Sequence, residues 1–159
     1  MDETIIVRHD NNFSTNIFLK KNEVPFIANF KQYGGLRKGG WKKESLETMP
    51  LISIITVVRN DVANIEKTIL SVLNQTYNNV EYIIIDGAST DGTLDVIKRY
   101  EKYVDLWASE PDDGIFYAYN KAVDFVTGAW VEIMNCGNYF YNNHVIEDVF
   151  AEKKHVCDG

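Results

Sequence analysis

An α/β fold with a mostly parallel sheet and helices on both faces is predicted by three features of the sequence. The near-continuous apolar runs LISIITVV and VEYIIID have the composition of strands buried on both faces. From residue 50 onward such runs alternate with segments whose apolar residues recur at helical spacing, and that order calls for parallel strands with helical crossovers. Polar residues collect where the strands finish, at residues 59–61, 86–91, 110–113 and 135–138. In a parallel sheet those four loops share one edge, so a single ligand crevice is expected there.

The first 48 residues lack this order. TIIV and NIFL are short apolar runs, and FKQYGGLRKGGWKKESLETMP packs four glycines among several cations. Residues 1–48 are therefore expected to be an N-terminal extension, with a loop or linker over 34–49 and with Lys38, Lys42 and Lys43 solvated. Contact of those lysines with phosphates or an acidic partner is the functional alternative. Residues 49–159 are expected to form the ligand-binding part.

PLISIITVV opens that part as the first buried strand. In NIEKTILSVLNQTY the apolar residues Ile65, Ile69, Val72 and Leu73 fall on one helical face, with Asn64 as cap. The second strand, from Val80, stops at Asp86. An ionised carboxyl is costly to bury without a partner, so Asp86 is expected at the rim, facing a ligand. Gly87, Ser89, Asp91 and Gly92 are turn formers, and Asp91 or Ser89 can cap the helix that begins near Thr93. That helix buries Leu94 and Ile97. DLWAS is a short third strand that ends in the loop EPDDG. The next helix carries Ile115, Ala118, Ala122 and Phe125 inward and closes at Gly128. AWVEIMN is a fourth strand, and a last helix places Val145, Ile146 and Val149 on one face.

The totals limit the function classes. A chain of 159 residues, 45% hydrophobic and 25% charged, fits one globular domain. A formal charge of −7 without a long Lys/Arg run argues against a nucleic-acid partner, while a small anionic ligand needs only a local pocket of amides and a cation. Cys136 and Cys157 make neither a disulfide framework nor a zinc spacing. MDETIIVRHDNN has acids where a secretory signal carries basic residues, and no apolar run reaches membrane-spanning length. A cytoplasmic location is expected, peripheral attachment at the inner membrane face being the variant.

Five blocks in order, ISIITVVRN, TILSVLNQTY, YIIIDGASTDGT, SEPDDGIFYAYNKA and the strand ending in MNCGNYF, resemble the family 2 glycosyltransferases of bacterial polysaccharide synthesis. The resemblance covers about residues 50–150. It implies a GT-A (Rossmann-like) fold that binds a nucleotide-diphosphate sugar at the carboxyl edge of its sheet. It also implies transfer of the sugar, with inversion, to a glycan or lipid-linked acceptor, assisted by magnesium or manganese. On this resemblance Thr56, Val57, Asn60, Asp86, Ser89, Asp91, Asp113, Gly114, Asn120, Lys121 and Asn135 line the donor site. A uridine-type base is favoured, because a carboxyl group and strand-end backbone can read its imide N–H and flanking carbonyls.

Two positions depart from the family pattern. Its fourth strand ends in a short acidic motif whose last Asp ligates the cation, and here the motif is Asn135-Cys136-Gly137-Asn138. Asn138 is the metal candidate that this alignment leaves, and a neutral amide lowers the affinity expected for a hard cation. Tyr117 stands where an acid is usual. Cys136 reads as a small residue packed at the strand end. The family's general base and acceptor pocket follow the metal motif, so the fold is expected to be incomplete at the C-terminus, with His155 an unconvincing base and self-association through uncovered apolar surface. A binding module that kept the donor fold and lost turnover is the alternative.

Overall fold

The structure, a computed structural model, describes residues 19–21 and 30–151. TIIV, residues 16–18 of NIFL, His155 and Cys157 lie outside the described residues. Strands β4 (Ile52–Val58), β5 (Val80–Asp86), β6 (Leu106–Ser109) and β7 (Trp130–Ile133) run parallel, in the spatial order β6-β5-β4-β7. The expected alternation holds, with α1 (Ile65–Leu73), α2 (Thr93–Arg99) and α3 (Ile115–Val123) as crossovers and α4 (Val145–Ala151) after β7.

Period-2 alternation divides the core between the two sheet faces. Ile52, Ile54, Val58, Tyr82 and Ile84 pack against Ile65, Ile69 and Val72 of α1, Val96 and Ile97 of α2, and Ile146 of α4. On the other face Ile55, Val57, Ile83 and Ile85 meet Ala118 and Ala122 of α3. Each fully buried isoleucine contributes about 1.5–3 kcal/mol, and the central strands are thereby fixed in one register.

The N-terminal segment departs from the expected solvated linker. Residues Gln32–Gly34 form β2, which pairs antiparallel with β6 and extends the sheet by one strand. A 3₁₀ turn follows at Leu36–Gly39, and β3 (Trp41–Lys43) pairs antiparallel with β1 (Leu19–Lys21). Two cations of this segment are buried rather than solvated. Arg37 pairs with Glu81 of β5 and donates from Nη1 to the Phe125 carbonyl. Lys43 pairs with Asp105 at 2.8 Å and also donates to the Val80 carbonyl. Glu81 further accepts from the Ser53 hydroxyl and from the Thr127 N–H and hydroxyl. Asp105 accepts from the Tyr82 N–H, and burial, opposed by Lys43, pushes its carboxyl above the ordinary range. Carboxyl groups in mid-sheet need such partners, and distant basic residues supply them.

Smaller differences have local causes. Asn64 precedes α1 without a side-chain cap bond, because its amide donates to Asp61 Oδ1 instead. Ile115 is half exposed at the start of α3, and Val149 is exposed on α4. Gly128 lies beyond α3 and serves close approach: a Cβ there would meet Ser53 Oγ at 2.5 Å and the Leu51 carbonyl oxygen at 2.7 Å. β7 is the outer strand beside β4, and all four of its residues are exposed.

Candidate functional site

At the carboxyl edge, the loops after β4 and β5 are laced together. The Gly87 N–H donates to the Val58 carbonyl. Asn60 donates its N–H to Ser89 Oγ at 2.7 Å and accepts the Thr90 N–H on Oδ1 at 2.8 Å. The Asp61 N–H donates to Thr93 Oγ1, and the Val62 N–H donates to Asp91 Oδ2, both at 3.0 Å. Asp91 Oδ1 accepts the N–H and hydroxyl of Thr93 in an Asx turn that leads into α2, whereas the cap position itself is Gly92 and has no side-chain cap bond, so neither Asp91 nor Ser89 caps the helix as expected. Asn60, Ser89 and Asp91 are thus occupied in shaping the edge.

The Thr93 hydroxyl bond, with the Thr93 and Val62 N–H bonds, holds the Asp91 carboxyl below its ordinary value of 3.8. A depressed acid stabilises the fold above its unfolded pKa and loses that contribution as pH falls through the folded value. The melting temperature of Asp91→Asn is therefore expected to lie below the wild type at neutral pH and to converge with it as pH falls through the folded value. A gap that persists below that range would count against the carboxylate's bonds to Thr93 and Val62 as its source.

Asp86 is fully buried, not at the rim. The neighbouring strand and loop make burial tolerable: Oδ2 accepts the Ser109 hydroxyl at 2.6 Å and the Ser89 N–H at 3.1 Å. Oδ1 has no hydrogen-bond partner, which at a buried site costs about 1–3 kcal/mol. Beside Asp86 a cleft of about 170 Å³ opens between Val57, Val58, Arg59, Asp112, Gly114, Ile115 and Ala118. Gly87 forms part of this cradle: a Cβ on it would lie 2.7 Å from Asp112 Oδ2 and 3.2 Å from Arg59 Cδ.

The other expected site residues are distributed unevenly. Val57 and Gly114 line the cleft. Thr56 is buried and spends its hydroxyl on the Met134 carbonyl and Tyr82. Asp113 is exposed and does not line the cleft, whereas Asp112 does, with Oδ1 also accepting the Gly114 N–H at 3.0 Å. Asn120 is exposed on α3. Lys121 is paired with Glu110 at 2.5 Å, so it is not poised toward a phosphate. Asn135 Oδ1 accepts the Tyr119 hydroxyl. Asn138 is exposed, and its backbone carbonyl accepts the Thr68 hydroxyl at 2.9 Å.

Arg59 lines the cleft from one of the loops expected at the ligand edge, although sequence reasoning gave it no role of its own. Cys136 packs against the core, and burial, with Asp61 beside it, pushes its thiol up to about 12. It is no nucleophile at neutral pH.

Comparisons with known proteins agree with this geometry. Residues 53–153 match the family described as glycosyl transferase family 2. TuaG of Bacillus subtilis, named as a glycosyltransferase of teichuronic acid biosynthesis, is 38% identical over 89 residues, 54% of this chain and 35% of that protein. An uncharacterized glycosyltransferase of Haemophilus influenzae is 34% identical over 98 residues, 60% of this chain and 39% of that protein. The chain thus spans less than half the length of these relatives. Among solved structures, the Pyrobaculum calidifontis mannosyltransferase PcManGT, in complex with GDP-Man and Mn2+, superposes with a TM-score of 0.58 at 23% identity, covering 69% of this chain and 33% of that one. Staphylococcus aureus TarS, residues 1–349, gives 0.59 at 21% identity, covering 66% and 33%. At such identities the likeness is one of fold, the GT-A fold. With the family match covering the β4–α4 region that builds the cleft, the chain belongs to glycosyl transferase family 2.

Proposed function

We propose that residues 49–159 form the donor-binding part of a glycosyltransferase that moves a sugar, with inversion, from a nucleotide-diphosphate sugar to a glycan or lipid-linked acceptor. The observation that carries this reading is the cleft between Arg59, Gly87 and Asp112, set at the carboxyl edge within the span of the family match. Ligand sites for whole molecules run to roughly 300–1,000 Å³, so about 170 Å³ suits one moiety, with the rest of the donor lying across the open edge. Val57, Val58, Ile115 and Ala118 give apolar walls for a flat base. Arg59 can donate to a keto oxygen and Asp112 can accept an imide N–H, a pairing that suits uracil. TarS has been solved with UDP-GlcNAc and the mannosyltransferase with GDP-Man, which supports the donor class. Asn60, Ser89 and Asp91 then position the loops.

Gly87→Val tests the cleft. The added side chain crowds the Asp112 carboxyl, whose end can move, and meets Arg59 Cδ and Cβ less closely at 3.2 and 3.3 Å, so the fold should tolerate it. Calorimetric titration is expected to show an at least about tenfold loss of uridine diphosphate affinity, with little change in melting temperature. Unchanged affinity would remove the base from this cleft. The neutral loop at 135–138 favours a second reading, a module that binds the donor without turnover, which predicts nucleotide binding without detectable transfer or donor hydrolysis.

Two further elements belong to the proposal. A cytoplasmic location accords with the free thiol of Cys136, and no described helix is long and apolar enough to cross a membrane. Self-association accords with the exposed Val131 and Ile133 of β7, and a single monomer boundary in sedimentation would count against it.

A further inference from the structure

We infer that this chain binds its nucleotide diphosphate without a resident divalent cation, because the loop that closes β7 offers a metal no charged oxygen. The inference rests on the donor-site reading above. Asn138 brings a neutral carboxamide to the position where the family places its metal-binding carboxylate. The backbone there is committed, since the Asn138 N–H donates to the Asn135 carbonyl and the Gly137 N–H to Thr68 Oγ1. The side-chain oxygen of Asn135 holds the Tyr119 hydroxyl.

Asp61 is the carboxyl group that faces this loop, and both of its oxygens are in use. Oδ1 accepts the Asn64 amide at 2.7 Å, and Oδ2 accepts the Cys136 thiol at 3.3 Å. Among the described residues no group of three His, Cys, Asp or Glu side chains could hold a metal ion. Magnesium and manganese sites are built from oxygen ligands, chiefly charged ones, and here the carboxyl group facing the loop is engaged by the Asn64 amide and the Cys136 thiol instead. The residues present do not fit the cation.

The test is calorimetric titration with uridine diphosphate and with guanosine diphosphate, each in EDTA and in excess manganese, on the wild type and on Asn138→Asp. For the nucleotide that binds, wild-type affinity is expected to change less than about twofold between the two conditions, while Asn138→Asp tightens at least about tenfold in manganese. Wild-type binding that strengthens about tenfold or more in manganese would overturn the inference and leave the donor site standing. A variant as indifferent to manganese as the wild type would overturn the assignment to position 138. No binding of either nucleotide, nor of uridine or guanosine, would overturn the donor reading itself.

Discussion

Arg37→Met is expected to destabilise the fold by about 3–5 kcal/mol, because it leaves the Glu81 carboxyl buried without its cation. Arg37 and Glu81 are 4% and 0% exposed, and the guanidinium also holds the Phe125 carbonyl beyond α3. Glu81 keeps the Ser53 hydroxyl and the Thr127 groups, but these do not neutralise a charge. Domains of this kind carry about 5–15 kcal/mol in total, so the loss would be visible as a large shift in a urea or guanidinium midpoint. Adding Glu81→Gln to Arg37→Met is expected to recover part of it, since the neutral amide removes the uncompensated charge. A midpoint shift worth less than about 1 kcal/mol would mean that residues 32–43 are not sealed onto the sheet in solution.

Asp86→Asn separates fold from ligand binding. Oδ2 accepts both of the bonds that Asp86 makes, and Oδ1 makes none. An asparagine can keep its carbonyl oxygen toward Ser89 and Ser109 and place its amide nitrogen where Oδ1 lies. Stability is therefore expected to change by less than about 1 kcal/mol. If Oδ1, rather than Asp112, takes the imide N–H of the donor's base, reversing its polarity from acceptor to donor should lower nucleotide affinity about 10–100-fold. Calorimetric titration beside a chemical melt gives both numbers. Unchanged affinity with unchanged stability would make Asp86 purely a clasp between β5, β6 and the Ser89 loop.

The strands β4 to β7 and the four helices were legible because their residues carry the pattern locally: ISIITVV and VEYIIID read as buried strands wherever they stand. β2 and the 3₁₀ turn were not legible, since QYGGLRKGG has the composition of a linker. What buries Arg37 and Lys43 is the pair of carboxyl groups at Glu81 and Asp105, more than forty residues away in sequence. Asp86 shows the same limit from the other side. Its type announced a rim position, but Ser109 and Ser89 supply donors that let the strand carry it inward. In the site, Asp91 was readable as a turn former ahead of α2, but the cap position fell to Gly92. The loop at 112–114 was legible as a unit, but that Asp112 and not Asp113 lines the cleft is a matter of backbone geometry. Arg59 stood in a loop expected at the ligand edge, but without a role of its own.

The antiparallel pairing of β2 with β6 joins Gln32 to Ser109, and this has a consequence for the order in which the chain assembles. On a ribosome residues 32–43 emerge well before any partner exists for them, and their cations stay in water until β5 and β6 have been made. The β4–β5 and β5–β6 pairings join residues much nearer in sequence than the β2–β6 pairing does, so the N-terminal strap, which closes a longer loop, is expected to dock after them. Glu81 and Asp105 therefore wait inside a half-built sheet for charges that were synthesised earlier. Until those charges arrive, the sheet's β6 edge is open to pairing with another chain.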